Sequence, residues 1–267
     1  MTIRQRTRNR GWTVGLATVV ALALLGAACG DDDDDAAADE DTEQSTDTTG
    51  ASGSGEPAEG DGDTAAFCDA RAQLEAEFNE QPPDPAAVTA AIDDLESAAP
   101  AELAESAGGL GEILAASAES GEDPVQDPAF AGHLAPIDEF VLAECGFETV
   151  EVNAVDYAFE GLPGSLPAGQ TAIALANDGA EPHEMVIFRR AEGETRTPEE
   201  LFALPEEEIF TALTFAGAAQ AEPGQTGLTI ADLEPGSYVA TCFVPTGGAE
   251  DGPPHFMQGM TAEFEVA

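Results

Sequence analysis

The hydrophobic period changes once along this chain, near Phe147, and that change constrains the fold more than any other feature. Upstream, apolar residues recur at intervals of three, four and seven: Phe67, Leu74 and Phe78; Val88, Ile92 and Leu95; Leu103, Leu110, Ile113 and Leu114; Phe130, Leu134, Ile137 and Val141. Such intervals put each set on one face of an amphipathic helix. Pro82, Pro83 and Pro85 divide the first two sets, and Gly121, Pro124 and Pro128 divide the last two. Downstream the pattern alternates, in Val150 with Val152, Val155 with Tyr157, Ile173 with Leu175, and Val186 with Phe188. Turn sequences such as Asn177-Asp178-Gly179, Glu222-Pro223-Gly224 and Glu234-Pro235-Gly236 separate these runs. Short strands at regular spacing indicate a β-sandwich. One helix is expected inside it, with Thr197 as cap and Pro198 at the first helical position. The expected class is α+β in two domains: a small helical bundle over 65–147 and a sandwich over 148–267.

What precedes the bundle is not expected to fold. Arg4, Arg6, Arg8 and Arg10 lead into an apolar run from Trp12 to Leu25, then Gly26-Ala27-Ala28-Cys29-Gly30. A positive start, an apolar stretch and small residues before a cut make a secretory signal, assigned to 1–28. The run is shorter than the ~20 residues a spanning helix needs. The Cys followed by Gly resembles the lipobox of bacterial lipoproteins, with Leu25 one step further from the Cys than usual. That resemblance implies a diacylglyceryl group on Cys29, now the first residue, and a membrane-anchored protein facing the extracytoplasmic side. Residues 29–64 then read as an acidic tether: fourteen Asp and Glu, no base and no aromatic residue. One sign of charge with low hydrophobicity keeps such a segment disordered.

Charge also removes whole classes of partner. The 267 residues contain 53 Asp plus Glu and 8 Lys plus Arg, every one of the eight an arginine. Losing the signal removes four of those arginines and no acid, leaving a net charge of −49. A polyanion of this kind repels phosphate backbones and anionic head groups, which excludes nucleic acid as a partner.

The four cysteines divide by position. Cys68 opens the helical region and Cys145 closes it, and in an exported protein such a pair is expected as a disulfide. Cys242 lies in the sandwich with His183 and His255, the only histidines there. Two imidazoles, a thiolate and the thioether of Met260 form the trigonal set with a weak axial ligand that suits copper. Met is a poor zinc ligand, so zinc is the weaker reading. The third histidine, His133, stands alone on a helix and reads as structural.

Three local sequences carry a resemblance. Asn177-Asp178-Gly179-Ala180-Glu181-Pro182-His183 puts a turn before a strand; Gly236-Ser237-Tyr238-Val239-Ala240-Thr241-Cys242 ends a strand on a thiol; His255-Phe256-Met257-Gln258-Gly259-Met260 enters the final strand. They resemble the cupredoxin (plastocyanin-like) family over roughly 148–267, with its Asn-x-Gly-x-x-Pro-His, Gly-x-Tyr-x-x-x-Cys and His-x-x-x-Gly-Met segments. The resemblance implies a Greek-key sandwich holding one type 1 copper, with His183, Cys242 and His255 equatorial and Met260 axial. Twelve residues, Phe243 to Pro254, separate Cys242 from His255 where the family usually has two to four. Met257 is the competing axial candidate.

The function implied is single-electron transfer between extracytoplasmic redox proteins, with no catalysis. The sandwich has no further histidine for a catalytic copper, and four protein ligands leave no open position for substrate. His255 is the expected electron exit, through an exposed edge rimmed by Pro253, Pro254, Phe256 and Met257. The alternatives are a copper-sequestering or copper-delivery lipoprotein, and a sandwich without metal that binds protein or sugar. The sequence assigns the helical region no role.

Overall fold

The computed structural model describes residues 61–80, 83–120, 124–248 and 252–267. The signal segment, Cys29 and nearly all of the acidic tether lie outside the described residues. Four helices come first: α1 Asp61–Asn79, α2 Pro85–Ala98, α3 Ala104–Ser120 and α4 Phe130–Glu144. Their buried faces are the periodic sets read from the sequence, including Phe67, Leu74, Val88, Ile92, Leu95, Leu110, Leu114, Ile137 and Val141. The side chain of Asp84 caps α2 by accepting the Ala86 amide at 2.9 Å, with Pro85 at the first helical position. Cys68 of α1 and Cys145, just past α4, form the expected disulfide, their Cα atoms 5.5 Å apart.

Nine strands follow: β1 Glu148–Val155, β2 Ala158–Glu160, β3 Ser165–Leu166, β4 Gly169–Asn177, β5 His183–Arg190, β6 Leu213–Ala221, β7 Thr226–Leu233, β8 Gly236–Thr241 and β9 Thr261–Val266. They form a four-stranded sheet in the order β2-β1-β4-β7 and a five-stranded sheet in the order β3-β9-β8-β5-β6. The β1–β4 and β3–β9 pairs are parallel and the other pairs antiparallel. Val152, Ile173, Leu175, Met185, Ile187, Tyr238 and Phe264 fill the space between the sheets. The Tyr238 ring stacks on Phe264 at 5.1 Å, and its hydroxyl donates to the Glu234 carbonyl.

Each sheet is also covered on its outer face. Strand β4 is buried without a break over Thr171-Ala172-Ile173-Ala174-Leu175, as a stretch with two covered faces must be. Its large residues point inward. The small ones, Ala172 and Ala174, join Leu228 and Ile230 of β7 under the helical bundle in one apolar cluster. Short side chains there let the helices lie close to the sheet. On the opposite side, α5 Pro198–Phe202 and α6 Glu206–Ala212 bridge β5 to β6. They pack Leu201 and Ile209 against Val186, Phe188 and Val239. Helix α5 opens with the expected Thr197 cap, reinforced by Glu200 into a reciprocal capping box. The molecule is thus four layers deep: bundle, sheet, sheet, short helices. Among the described residues no helix is long and apolar enough to cross a membrane.

Candidate metal centre

The turn before β5 delivers His183. Asn177, almost fully buried, donates from Nδ2 to the carbonyls of Glu181 at 2.8 Å and Ala221 at 2.9 Å, and its Oδ1 accepts the Gly179 amide at 2.8 Å. One side chain therefore sets the shape of the whole turn. Gly179 is required for a different reason. A Cβ there would lie 2.5 Å from Asp156 Oδ1 and 2.6 Å from His183 Nε2, forcing that pair apart. As the first residue of β5, His183 points to the inner face, in step with Met185 and Ile187.

Cys242 follows directly on β8. Its backbone N–H donates to the Met260 carbonyl at 3.2 Å, and its Sγ accepts the Glu184 amide at 3.4 Å. The Glu184 side chain returns across the strands to accept the Phe243 amide at 2.9 Å. His255 begins a single 3₁₀ turn, His255–Gln258, which ends on Gly259 at φ 104°, a left-handed conformation that favours glycine. Met260 then donates its amide back to the His255 carbonyl at 3.2 Å and is fully buried in the same core cluster as Cys242.

The long connection between the two ligand segments is pinched at its neck. The Phe256 amide donates to the Cys242 carbonyl and the His255 amide to the Val244 carbonyl, both at 2.9 Å, and Pro245 pairs with Pro254. The Thr246 amide also donates to the Pro253 carbonyl at 3.0 Å, so His255 returns beside Cys242 in spite of twelve intervening residues. Closing a longer loop costs little, because each doubling of length adds only ~0.6 kcal/mol.

His183, Cys242 and His255 meet in one buried cluster, with their candidate ligand atoms within 4.8 Å of one another. The two Nδ1 atoms are 3.1 Å apart, and Cys242 Sγ is 3.4 Å from His255 Nδ1. Nitrogen and sulfur donors at ~2.0–2.3 Å from one ion must themselves lie within ~4.5 Å of each other, as the His183–His255 and Cys242–His255 pairs do. All three residues are 0% exposed. Both Nε2 atoms face carboxylates: His183 meets Asp156 Oδ1 at 3.0 Å, and His255 meets Glu181 Oε2 at 3.2 Å. A carboxylate only accepts, so each Nε2 donates, and the two Nδ1 atoms turn inward toward each other. Two ring nitrogens and a sulfur converging in a dry site fit a cation. The set has the composition of a type 1 copper site.

Electrostatics follow from burial. Desolvation pushes the Cys242 thiol up to about 12, with the Glu184 amide opposing it. It also pulls His255 down, against the hydrogen bond that its Nε2 donates to Glu181. Protons are therefore disfavoured on that imidazole. The carboxylates move the other way. Burial works to raise Asp156, but hydrogen bonds from His183 and from the Ala180 and Glu181 amides hold it below its ordinary value. Glu181 is held low by the Gly247 amide, at 2.6 Å, and the Tyr157 hydroxyl, at 2.9 Å.

One expectation changes. His255 has no exposed edge: Glu181 covers its Nε2 and the Tyr157 ring packs edge-on at 4.8 Å. Of the two axial candidates, Met257 is 65% exposed and Met260 is fully buried. His133 lies far along the chain in α4, its ring over Gly109 of α3, and does not join the cluster. Sequence reading missed Asp156, Tyr157, Glu181 and Glu184, because single acids are unremarkable in so acidic a chain. The only hint was that Glu181 stands within the Asn177–His183 turn.

The two sheets, with the His–Cys–His cluster at one end between them, have the cupredoxin arrangement that the motifs imply. No family model matches the chain, and no curated protein does. Among solved structures, dithionite-reduced auracyanin from the photosynthetic bacterium Roseiflexus castenholzii is 20% identical, over 45% of this chain and 96% of its own, with a TM-score of 0.31. Multicopper oxidase from Campylobacter jejuni, a metallo-oxidase, is 10% identical over 45% of this chain and 30% of its own, with a TM-score of 0.27. Auracyanin A, a blue copper protein from Chloroflexus aurantiacus, is similar at 18% identity over 45% of this chain and 98% of its own, with a TM-score of 0.28.

Proposed function

We propose that this chain holds one type 1 copper between His183, Cys242, His255 and Met260 and carries single electrons between extracytoplasmic redox proteins. The observation that carries the reading is the buried convergence of two Nδ1 atoms, 3.1 Å apart, with the Cys242 sulfur 3.4 Å from one of them. Thiolate and thioether suit Cu(I), imidazole suits Cu(II), and a cage held on β-strands need not rearrange between them. With every ligand position taken by protein, no place remains for substrate, so the chain is a carrier and no enzyme. Delivery of copper is the weaker alternative, because ligands that are 0% exposed offer an acceptor protein no route to the metal.

The test is an absorption spectrum of the purified chain titrated with Cu(II). An intense visible thiolate-to-copper band at one equivalent is the expected outcome; a colourless complex rejects the type 1 assignment. Retention of copper through repeated oxidation and reduction supports a carrier, and ready loss of Cu(I) to an acceptor supports delivery. Lipid on Cys29 would add a tether of ~30 Å or more between membrane and bundle, stretched by its own charge. Cys29→Ala should release the protein from membranes, and a variant that stays with them after a high-salt wash is anchored by the apolar segment instead.

A further inference from the structure

Two carboxylates flank the metal cluster on its outer side, and they are cross-braced. Asp156, in the turn after β1, meets His183 Nε2 at 3.0 Å, and its oxygens accept the Ala180 amide at 3.1 and 3.2 Å. Its neighbour Tyr157 reaches the other ligand: the ring packs on His255, and the hydroxyl donates to Glu181 Oε1 at 2.9 Å. Glu181, two residues before the first ligand, holds the second at 3.2 Å while also accepting the Gly247 amide. The segment that supplies His183 thus braces His255, and the turn after β1 braces both histidines. Every acceptor bond here leads back to one of two anions.

Resting on the copper reading, we infer that Asp156 and Glu181 are positioning residues that fix both histidines as Nε2–H tautomers and bias the bound metal toward its more oxidised state. The first part is a matter of valence. A carboxylate oxygen offers no proton, so the imidazole must donate, and Nδ1 is left as the ligand atom. The second part is charge. Two anions on the far side of the imidazoles favour the higher charge on the metal, and outer-shell carboxylates raise the basicity of the rings they hold. The same two groups close the site to water: Glu181 occupies the edge of His255 through which an electron exit was expected.

Two variants per carboxylate separate charge from hydrogen bonding. Glu181→Gln and Asp156→Asn keep an oxygen acceptor and remove the charge; Glu181→Ala and Asp156→Ala remove both. In the copper-loaded chain, Glu181→Gln and Asp156→Asn should keep the visible band while the Cu(II)/Cu(I) binding ratio falls about tenfold. For a one-electron couple that is a rise of about 59 mV in midpoint potential. In the metal-free chain, long-range ¹⁵N–¹H correlation spectra should show Nε2–H on both histidines, with the signal of His255 alone altered by Glu181→Ala. An unchanged potential in both charge-removing variants, or Nδ1–H on either histidine of the metal-free wild type, overturns the assignment. The tautomer measurement needs no copper, so failure of the copper reading and failure of this inference are read separately.

Discussion

The bundle and the sandwich each bury one polar cluster, and the two clusters are balanced in opposite ways. In the bundle, Arg71 of α1 pairs with Glu75 at 2.6 Å and approaches Asp138 of α4 at 3.4 Å. Glu75 also accepts the hydroxyl of Thr229, on β7, at 2.6 Å, tying the helices to the sheet beneath them. Cation and anions lie together, with Nε of Arg71 left as the guanidinium nitrogen without a partner. In the sandwich, His183, Cys242 and His255 turn donor atoms toward one another while the neighbouring carboxylates stand outside. Among the described residues no arginine pairs with them. The first arrangement is what a buried ionic network needs in order to persist. The second makes sense with a cation at its centre. Buried polar groups alone therefore do not mark a site; a converging set of donors with no internal counter-charge does.

The comparison breaks most completely at Cys242. Cys242→Ser should abolish the visible band of the copper-loaded chain, because the absorbing transition starts on the thiolate. The metal-free variant should lose about 1–3 kcal/mol of stability, because a hydroxyl takes the place of a thiol inside the apolar core cluster. A variant that keeps the band would place the thiolate elsewhere, and Cys68 and Cys145 are already bonded to each other.

The disulfide tests the other half. Its cysteines are 77 residues apart, and in the chain-entropy model a loop of that size contributes about 4 kcal/mol. Replacing both by Ala should lower the free energy of unfolding by that order, read from denaturant titration. The copper spectrum of the still-folded fraction should be unaltered, because the bundle touches the sheet face opposite the metal side of β4. A changed spectrum would mean that strain in the bundle reaches the ligands.

Legibility differs between the halves for the same physical reasons. Helices α1 to α4 were readable because each carries several turns of periodic apolar residues over an alanine-rich background. Helix α6 was not: Glu206-Glu207-Glu208-Ile209-Phe210-Thr211-Ala212 spans two turns, with Phe210 exposed, too short for a period to emerge. Ligand identity was readable because His and Cys are scarce in the sandwich. The outer carboxylates were hidden by the opposite circumstance, an excess of acids, and Asp156 stands 27 residues from the histidine it holds. The neck that returns His255 to Cys242 depends on pairing between Val244 and His255, which no motif announces. Nor does any motif reveal that Ala172 and Ala174 serve the bundle while Ile173 and Leu175 serve the sandwich.

The ionic cluster gives a pH dependence with a definite sign. Burial raises Asp138 to about 7, Arg71 opposing and Glu75 reinforcing. Its folded value lies above its ordinary 3.8, so between about pH 4 and 7 the folded chain holds a proton that the unfolded chain has released. Stability from this group is full below that window and is lost as pH rises through it. Asp138→Asn should flatten the fall by an amount on the order of 2–4 kcal/mol. Urea midpoints of wild type and variant at pH 4 and pH 8 measure it. The many other acids act on both proteins alike, so the difference isolates Asp138. Parallel curves would show that this carboxyl stays ionised throughout.

The smallest effect is expected at Met260, and it sharpens the comparison at its finest point. A thioether at a long axial bond contributes little to holding copper but perturbs its electronic balance. Met260→Leu keeps nearly the same volume in a position that is 0% exposed, so folding should change by less than ~1.5 kcal/mol. Copper should remain bound and the visible band persist, with the midpoint potential displaced upward, because a donor to the oxidised metal has been withdrawn. Met257→Leu is the control. That side chain is 65% exposed and three residues away, and its replacement should leave the potential where it was. The reverse result, a shift from Met257 and none from Met260, would move the axial ligand to the loop surface. It would also require the 3₁₀ turn His255–Gln258 to rearrange when metal binds, a change visible as altered amide exchange at Gly259 and Met260, whose N–H groups close that turn onto Phe256 and His255.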